Sequence, residues 1–125
     1  MKILLVEDNP GDARLLQEML KEADAAHYEL TWADLLDKAL KLLDEKPFDL
    51  VLLDLGLPGS IGMDTYKKVH SHVPNVPIVI LSGFDSETFA AEAAQSGAKG
   101  YLSKNNVDIK ILVRTINDAV KRKRS

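Results

Sequence analysis

The 125-residue chain contains no cysteine. This absence excludes disulfide frameworks, thiolate metal sites, iron–sulfur clusters and cysteine nucleophiles. It also fits the reducing cytoplasm, where we expect the protein to lie. A chain of this length buries roughly two-thirds of its unfolded surface, so one hydrophobic core can stabilise it without cross-links. We therefore expect a single domain over residues 1–125.

Long apolar runs and an excess of positive charge are also missing. No apolar run approaches the roughly 20 residues of a membrane span. The run Ile3–Val6 is too short for the apolar part of a signal peptide and is followed by Glu7 and Asp8. The formal net charge of −3 argues against non-specific binding of nucleic acid. We therefore expect neither a membrane nor a nucleic acid as a direct partner.

Five short segments are typical of β-strands. Ile3–Val6, Leu50–Leu53 and Ile78–Leu81 are apolar without alternation, which is typical of strands buried on both faces. Tyr28–Ala33 alternates less clearly and is expected nearer an edge, and Gly100–Ser103 is brief. A helical pattern follows each of these segments, so the chain repeats the order strand, helix five times.

Capping residues and apolar spacing mark the helices. Asn9 followed by Pro10 is a strong helix start. Asp34 is expected to cap the second helix, with Leu35 on its inner face, and Gly97 is expected to end a helix as its C′ residue. The predicted helices start near Pro10, after Asp34, after Gly62, at Ser86 and near Asn106.

Alternating strands and helices predict an α/β fold, a doubly wound five-stranded parallel sheet with helices on both faces. In such sheets, ligands bind beyond the carboxyl ends of the strands, near the point where strand order reverses. The residues that follow each strand are therefore the candidates for a functional site.

Polar side chains follow four of the predicted strands. Glu7 and Asp8 follow the first, Asp54 the third, Ser82 the fourth and Lys104 the fifth. Carboxylates in this number suit Mg²⁺, and a lysine is a point-charge partner for phosphate. A carboxylate flanked by Mg²⁺ and a lysine can act as a phosphoryl acceptor. Each residue alone is typical of a surface turn, but their agreement at four strand ends predicts a phosphate or metal site.

Sequence motifs connect these strand ends to a known family. They lie at Val6–Asn9, Leu53–Pro58, Gly62, Ile80–Gly83 and Gly97–Lys104. Together they resemble the response-regulator receiver domains of two-component signalling, over essentially the whole chain. The resemblance implies a (βα)5, flavodoxin-like fold with strand order 2-1-3-4-5. It also implies a phosphorylation-controlled switch rather than an enzyme acting on foreign substrates, one that assists its own phosphorylation and dephosphorylation.

The resemblance implies how the acidic residues act. Asp54 matches the aspartate that accepts a phosphoryl group from a phosphohistidine on a sensor histidine kinase or phosphotransfer protein. Asp8 matches a direct Mg²⁺ ligand, together with Asp54 and the backbone carbonyl of Gly56. Glu7 matches the second acidic position, where aspartate is commoner, and is expected to act on Mg²⁺ through a water.

The resemblance also implies a set of residues that respond to phosphorylation. Ser82, where threonine is more frequent, matches the hydroxyl that hydrogen-bonds the phosphoryl group. Lys104 matches the lysine that pairs with it, and Tyr101 matches the aromatic switch that turns inward. Pro58 and Gly62 match structural positions in the loop after the acceptor.

One departure from the family pattern affects the backbone beside the site. Asn105 follows Lys104 at a position where the family usually has proline. A non-proline cis peptide bond costs about 2.5–4 kcal/mol, so the Lys104–Asn105 bond is predicted to be trans.

The helix predicted for Ser86–Gly97 is rich in alanine and carries Phe89 as its bulky inward residue. Small side chains bury little apolar area, so this helix is expected to be weakly anchored. Its small side chains are equally consistent with a helix that simply packs close to the sheet. The functional hypothesis is that the helix shifts on phosphorylation and reshapes the face that it forms with the fifth strand and the last helix. That face is the expected contact for a downstream effector protein or domain, and a homodimer is a further possibility.

The sequence leaves three alternatives to a stand-alone regulator: an excised receiver, a phosphatase and a flavin-binding protein. In the first, the chain is a receiver excised from a larger hybrid kinase or output-domain protein. A phosphatase of another Rossmann-like family would usually carry Asp-x-Asp, whereas Gly56 stands two residues after Asp54. A flavin-binding protein of similar topology would need neither Lys104 nor the acidic pair.

Overall fold

The computed structural model describes residues 1–57, 62–83, 91 and 93–124, with side chains up to residue 121. The strands are β1 (Lys2–Val6), β2 (Glu29–Ala33), β3 (Leu50–Asp54), β4 (Ile78–Ser82) and β5 (Gly100–Ser103). The helices are α1 (Pro10–Asp24), α2 (Leu36–Glu45), α3 (Met63–His72) and the last helix (Ile109–Arg124).

All five strands are parallel and form one sheet in the order β2-β1-β3-β4-β5. The predicted α/β class and strand order are therefore confirmed. The chain runs from β1 to β2 on one side and then crosses to β3 on the other, so the strand order reverses between β1 and β3. In doubly wound sheets, this reversal opens a crevice at the carboxyl ends of the strands.

The burial of the strands follows their position in the sheet. Every residue of β3 and β4 is buried, whereas the edge strands β2 and β5 each have one buried residue, Ala33 and Leu102. Alternate residues of β1 face opposite layers: Leu4 packs with α2 and α3, and Leu5 packs with α1 and the last helix. Within the described ranges, every helix is too short or too polar for a membrane crossing.

The starts of the first two helices differ in how well the sequence predicted them. The side chain of Asn9 caps α1 by accepting the amide hydrogens of Gly11 and Asp12, as expected. The prediction that Asp34 caps α2 is wrong, because Asp34 instead lies 3.0 Å from Lys38 Nζ in an ion pair. Leu35 takes the N-cap position with no side-chain cap and is exposed rather than inward-facing.

The segment around Gly97 ends a helix as predicted. Gly97 has φ +100°, and its amide donates to Ala94 while the amide of Ala98 donates to Ala93. This pair of bonds is the Schellman motif. The rest of the helix predicted for Ser86–Gly97, including Phe89, lies largely outside the described residues, so its anchoring and movement remain predictions.

The last helix begins at Ile109, later than the start near Asn106 that the sequence predicts. The amide of Asn106 donates to the carbonyl of Ser103 at 3.1 Å, which closes a turn after β5. The carboxylate of Asp108 then accepts the amide hydrogen of Ile111 at 2.8 Å, as an N-cap residue does. The turn delays the helix because it uses the residues that the prediction assigned to its first turn.

Candidate functional site

The carboxyl ends of β1, β3, β4 and β5 meet at one edge of the sheet. The structure brings together there the five residues that the sequence selected. Oxygen atoms of Glu7, Asp8 and Asp54 lie within 4.8 Å of one another, next to Lys104. Ser82 is paired with Ser103 across β4 and β5, and its backbone carbonyl accepts the amide hydrogen of Lys104 at 2.9 Å.

Asp54 lies deep in this edge, because it is the last residue of a fully buried strand. Only 3% of its surface is exposed. Its Oδ1 accepts the backbone amide hydrogen of Gly56 at 2.9 Å, and its Oδ2 accepts a hydrogen bond from Lys104 Nζ at 3.0 Å. The carboxylate is therefore held in one orientation by a backbone donor and a cation.

Lys104 is the cation at the centre of this group of acids. Its Nζ lies 2.6 Å from Glu7 Oε2, 3.0 Å from Asp54 Oδ2 and 3.3 Å from Asp12 Oδ2. Burial lowers the pKa of the Lys104 ammonium, but hydrogen bonds and charge interactions with Glu7 and Asp54 outweigh it and raise that pKa above its usual value. The side chain therefore stays charged at neutral pH.

Glu7 is fully buried beside this lysine. Its Oε1 accepts the backbone amide hydrogen of Asn9 at 3.1 Å. Burial raises the pKa of the Glu7 carboxyl to about 7, although Lys104 and the Asn9 amide act in the opposite direction, and the charge of Asp54 adds to the increase. The cost of burying the Glu7 carboxylate therefore exceeds the stabilisation that Lys104 and the Asn9 amide give it.

The three acids could hold a metal ion. Glu7 and Asp54 are buried, whereas Asp8 is exposed, so a bound ion would keep access to water. A set of carboxylate oxygens with solvent access suits a small hard cation such as Mg²⁺, which retains part of its hydration shell. A bound cation would favour the charged form of Glu7, whose pKa is raised chiefly by burial and further by the charge of Asp54.

The other residues selected by the sequence surround this centre. Ser82 is buried at the end of β4, with 3% of its surface exposed. Tyr101 lies in the edge strand β5 and packs, partly buried, against the core layer formed with α2 and α3. Gly62 has φ +56° at the start of α3, a backbone conformation that favours glycine. Pro58 lies outside the described residues.

The Lys104–Asn105 peptide bond is trans, as predicted. The side chain of Asn105 donates from Nδ2 to the carbonyl of Gly83 at 3.2 Å. The loop after β5 is thereby tied to the loop after β4, with Asn105 at the position where the family usually has proline.

Sequence reasoning missed two other contacts that reach the site. Trp32 Nε1 donates to the backbone carbonyl of Glu7 at 2.7 Å, and the Asp12 carboxylate contacts Lys104. Asp12 and Lys104 are far apart in sequence, and no local pattern pairs them. The available signal was the position of Asp12 in the first turn of a helix that starts directly after the acidic strand end.

Comparisons with known proteins agree with the observed fold. The family model for the response regulator receiver domain matches residues 3–117. The transcriptional regulatory protein ZraR of Klebsiella oxytoca is 33% identical over 118 residues, which are 94% of this chain and 26% of that protein. The oxygen regulatory protein NreC of Staphylococcus epidermidis is 32% identical over 119 residues, which are 93% of this chain and 54% of that protein.

A solved structure gives the same result. The crystal structure of a response regulator receiver domain protein from Clostridium thermocellum matches with a TM-score of 0.84 at 27% identity, covering 98% of this chain and 96% of that one. The two curated relatives are longer proteins, of which this chain spans 26% and 54%.

Proposed function

This chain belongs to the response regulator receiver domain family, and on that premise we propose that Asp54 is its phosphoryl acceptor. The observation that carries the proposal is the setting of the Asp54 carboxylate. It is buried at the strand-order reversal, oriented by the Gly56 amide and held 3.0 Å from the Lys104 ammonium. Glu7 is also buried, accepts a backbone amide hydrogen and contacts Lys104, and we choose Asp54 over it because Asp54 matches the phosphoryl-accepting aspartate of the family.

The proposed reaction is a direct transfer between two side chains. A carboxylate oxygen of Asp54 attacks the phosphorus of a phosphohistidine, the phosphorus–nitrogen bond breaks, and the imidazole leaves with the electron pair. The product is an aspartyl phosphate. We propose a sensor histidine kinase or a phosphotransfer protein as the donor.

The neighbouring residues have supporting roles in this proposal. Glu7, Asp8, Asp54 and the carbonyl of Gly56 would hold Mg²⁺, with Glu7 acting through a water. Bound Mg²⁺ supplies charge that offsets the phosphoryl oxygens. The hydroxyl of Ser82 donates to the phosphoryl group, and the ammonium of Lys104 pairs with it. The raised pKa of Lys104 supports this role, because it keeps the ammonium charged near neutral pH.

Phosphorylation is proposed to change the surface that a partner binds. Ser82 is drawn toward the phosphoryl group, and Tyr101 turns inward and changes the face formed with the helix predicted for Ser86–Gly97 and the last helix. A downstream effector protein or domain, or a second copy of this chain, reads that change. We propose that residues 1–125 form one such domain, acting in the cytoplasm as a switch rather than on foreign substrates.

Intact mass spectrometry after incubation with acetyl phosphate and Mg²⁺ tests the acceptor. The wild-type chain is expected to gain the mass of one phosphoryl group, and Asp54→Asn is expected to gain none. Asp37→Asn is the matched control, because Asp37 is an exposed aspartate in the first turn of α2. A gain that survives in Asp54→Asn, or no gain in the wild-type chain, would contradict the proposal.

A further inference from the structure

We infer that Asp12 is a positioning residue for Lys104, in addition to the residues that the family resemblance assigns to the site. The inference rests on the proposed function, because it concerns the ammonium that pairs with the phosphoryl group. Its evidence is separate, since it comes from the place of Asp12 in α1 and from its contact with Lys104.

The contact is long-range and specific to one acceptor atom. Lys104 Nζ donates to Asp12 Oδ2 at 3.3 Å. An ammonium has three hydrogens to donate. In this structure, three carboxylates lie around it, those of Glu7, Asp54 and Asp12. Asp12 therefore supplies one of the three directions in which Lys104 is held.

The first turn of α1 explains why Asp12 is available for this contact. An acid at the third position of a helix often accepts the backbone amide hydrogen of the N-cap residue. Here Asn9 is the N-cap, and its amide hydrogen goes to Glu7 Oε1 at 3.1 Å. The carboxylate of Asp12 is thus free to turn toward Lys104, while its own amide is held by the side chain of Asn9.

Asp12 differs from the other two acids that contact Lys104. Glu7 and Asp54 belong to the group that could hold a metal ion, and Asp12 does not. The side chain of Asp12 is also 42% exposed, whereas those of Glu7 and Asp54 are 0% and 5% exposed. Asp12 therefore anchors the ammonium without sharing the oxygens that the metal and the phosphoryl group require.

Stabilisation of α1 alone would also explain an acid at position 12. Negative charge in the first turn of a helix stabilises the helix, whatever lies opposite. This local effect does not depend on Lys104, whereas the positioning effect disappears when Lys104 is removed. A double-mutant cycle separates the two.

The first arm of the test measures the rate of phosphorylation by acetyl phosphate at saturating Mg²⁺. We expect Asp12→Asn to slow the reaction by about threefold to tenfold, because the ammonium is less well placed. In a Lys104→Met background, the same substitution is expected to change the rate by less than about twofold. Glu18→Gln is the matched control, since it removes an exposed acid on the same helix and is expected to leave the rate unchanged.

The second arm measures urea unfolding without Mg²⁺ or phosphodonor. It uses the four proteins of the double-mutant cycle: the wild-type chain, Asp12→Asn, Lys104→Met and the double variant. Asp12→Asn is expected to lower the folding equilibrium constant more when Lys104 is present than in the Lys104→Met background. A loss of the same size in both backgrounds would assign Asp12 to local helix stabilisation and overturn the inference. The inference is also overturned if the wild-type chain is phosphorylated and Asp12→Asn is phosphorylated at the same rate or faster. If the wild-type chain accepts no phosphoryl group, the proposed function fails, and the unfolding cycle still decides whether Asp12 holds Lys104.

Discussion

The carboxyl edge of the sheet and the outer surface of α1 both carry ion pairs, but their surroundings differ. At the sheet edge, Lys104 lies 2.6 Å from Glu7, whose side chain is fully buried. On α1, Arg14 lies 3.2 Å from Glu18, and their side chains are 80% and 62% exposed. The distances are comparable, so the difference lies in access to water.

This difference explains why only one of the two regions is suited to chemistry. Water and salt screen the exposed pair, and such pairs contribute little to stability. At the buried edge, one lysine faces three carboxylates, and burial raises the pKa of Glu7 to about 7. Because one lysine faces three carboxylates, a bound cation should stabilise the edge, whereas cations should have little effect on the stability of the α1 surface.

The largest expected effect comes from removing the buried cation. Lys104→Met leaves Glu7 and Asp54 without their cationic partner, so we expect the free energy of unfolding at pH 8 to fall by about 3 kcal/mol. The loss should be smaller at pH 6, because Glu7 then takes up a proton. Urea denaturation at the two pH values measures both effects. If the free energy of unfolding falls only as much as it does when an exposed lysine is replaced by methionine, the edge is not a low-dielectric region.

A smaller effect is expected from the titration of Glu7. Its pKa is raised from 4.5 to about 7, so the folded chain binds its proton more tightly than the unfolded chain does. The stabilisation is therefore complete below pH 4.5 and is lost as the pH rises through about 7. Without Mg²⁺, we expect a loss of about 2–3 kcal/mol over that window.

The variant Glu7→Gln isolates this titration from that of the other acids. Its stability is expected to change less between pH 4.5 and 7 than that of the wild-type chain, as followed by urea denaturation at intervals of pH. Parallel curves for the two proteins would show that Glu7 does not titrate in this window.

The smallest effect is expected at the exposed pair. Arg14→Ala removes an i, i+4 ion pair whose side chains are mostly in water, so its unfolding free energy should change by less than about 0.5 kcal/mol. The change should shrink further in 1 M salt, where screening acts within about 3 Å. Thermal or urea unfolding at low and high salt measures it, and a loss near that of Lys104→Met would remove the contrast between the two regions.

The sequence predicted those parts of the fold that depend on local pattern. The apolar runs at Leu50–Leu53 and Ile78–Leu81 lie within fully buried strands, and Asn9 caps α1 as expected. The start of α2 was predicted wrongly because Asp34 could either cap the helix or pair with Lys38. Residue type alone does not decide between these two local interactions.

The candidate site was predictable to a similar extent. Parallel strands bring their carboxyl ends together, so Glu7, Asp54 and Lys104 could be grouped before any distances were known. The burial of Glu7 depends on side chains from distant elements, as does the Asp12–Lys104 contact. Such properties depend on tertiary packing, which periodicity and capping signals do not encode.

Chemical mapping of the phosphoryl group tests the central claim most directly. Borohydride reduces an aspartyl phosphate to homoserine, and tandem mass spectrometry then locates the altered residue. After incubation with acetyl phosphate and Mg²⁺, we predict homoserine at position 54 and unchanged aspartates at positions 8 and 12. Homoserine at either of those positions, with Asp54 intact, would contradict the assignment of the buried, lysine-paired carboxylate as the acceptor.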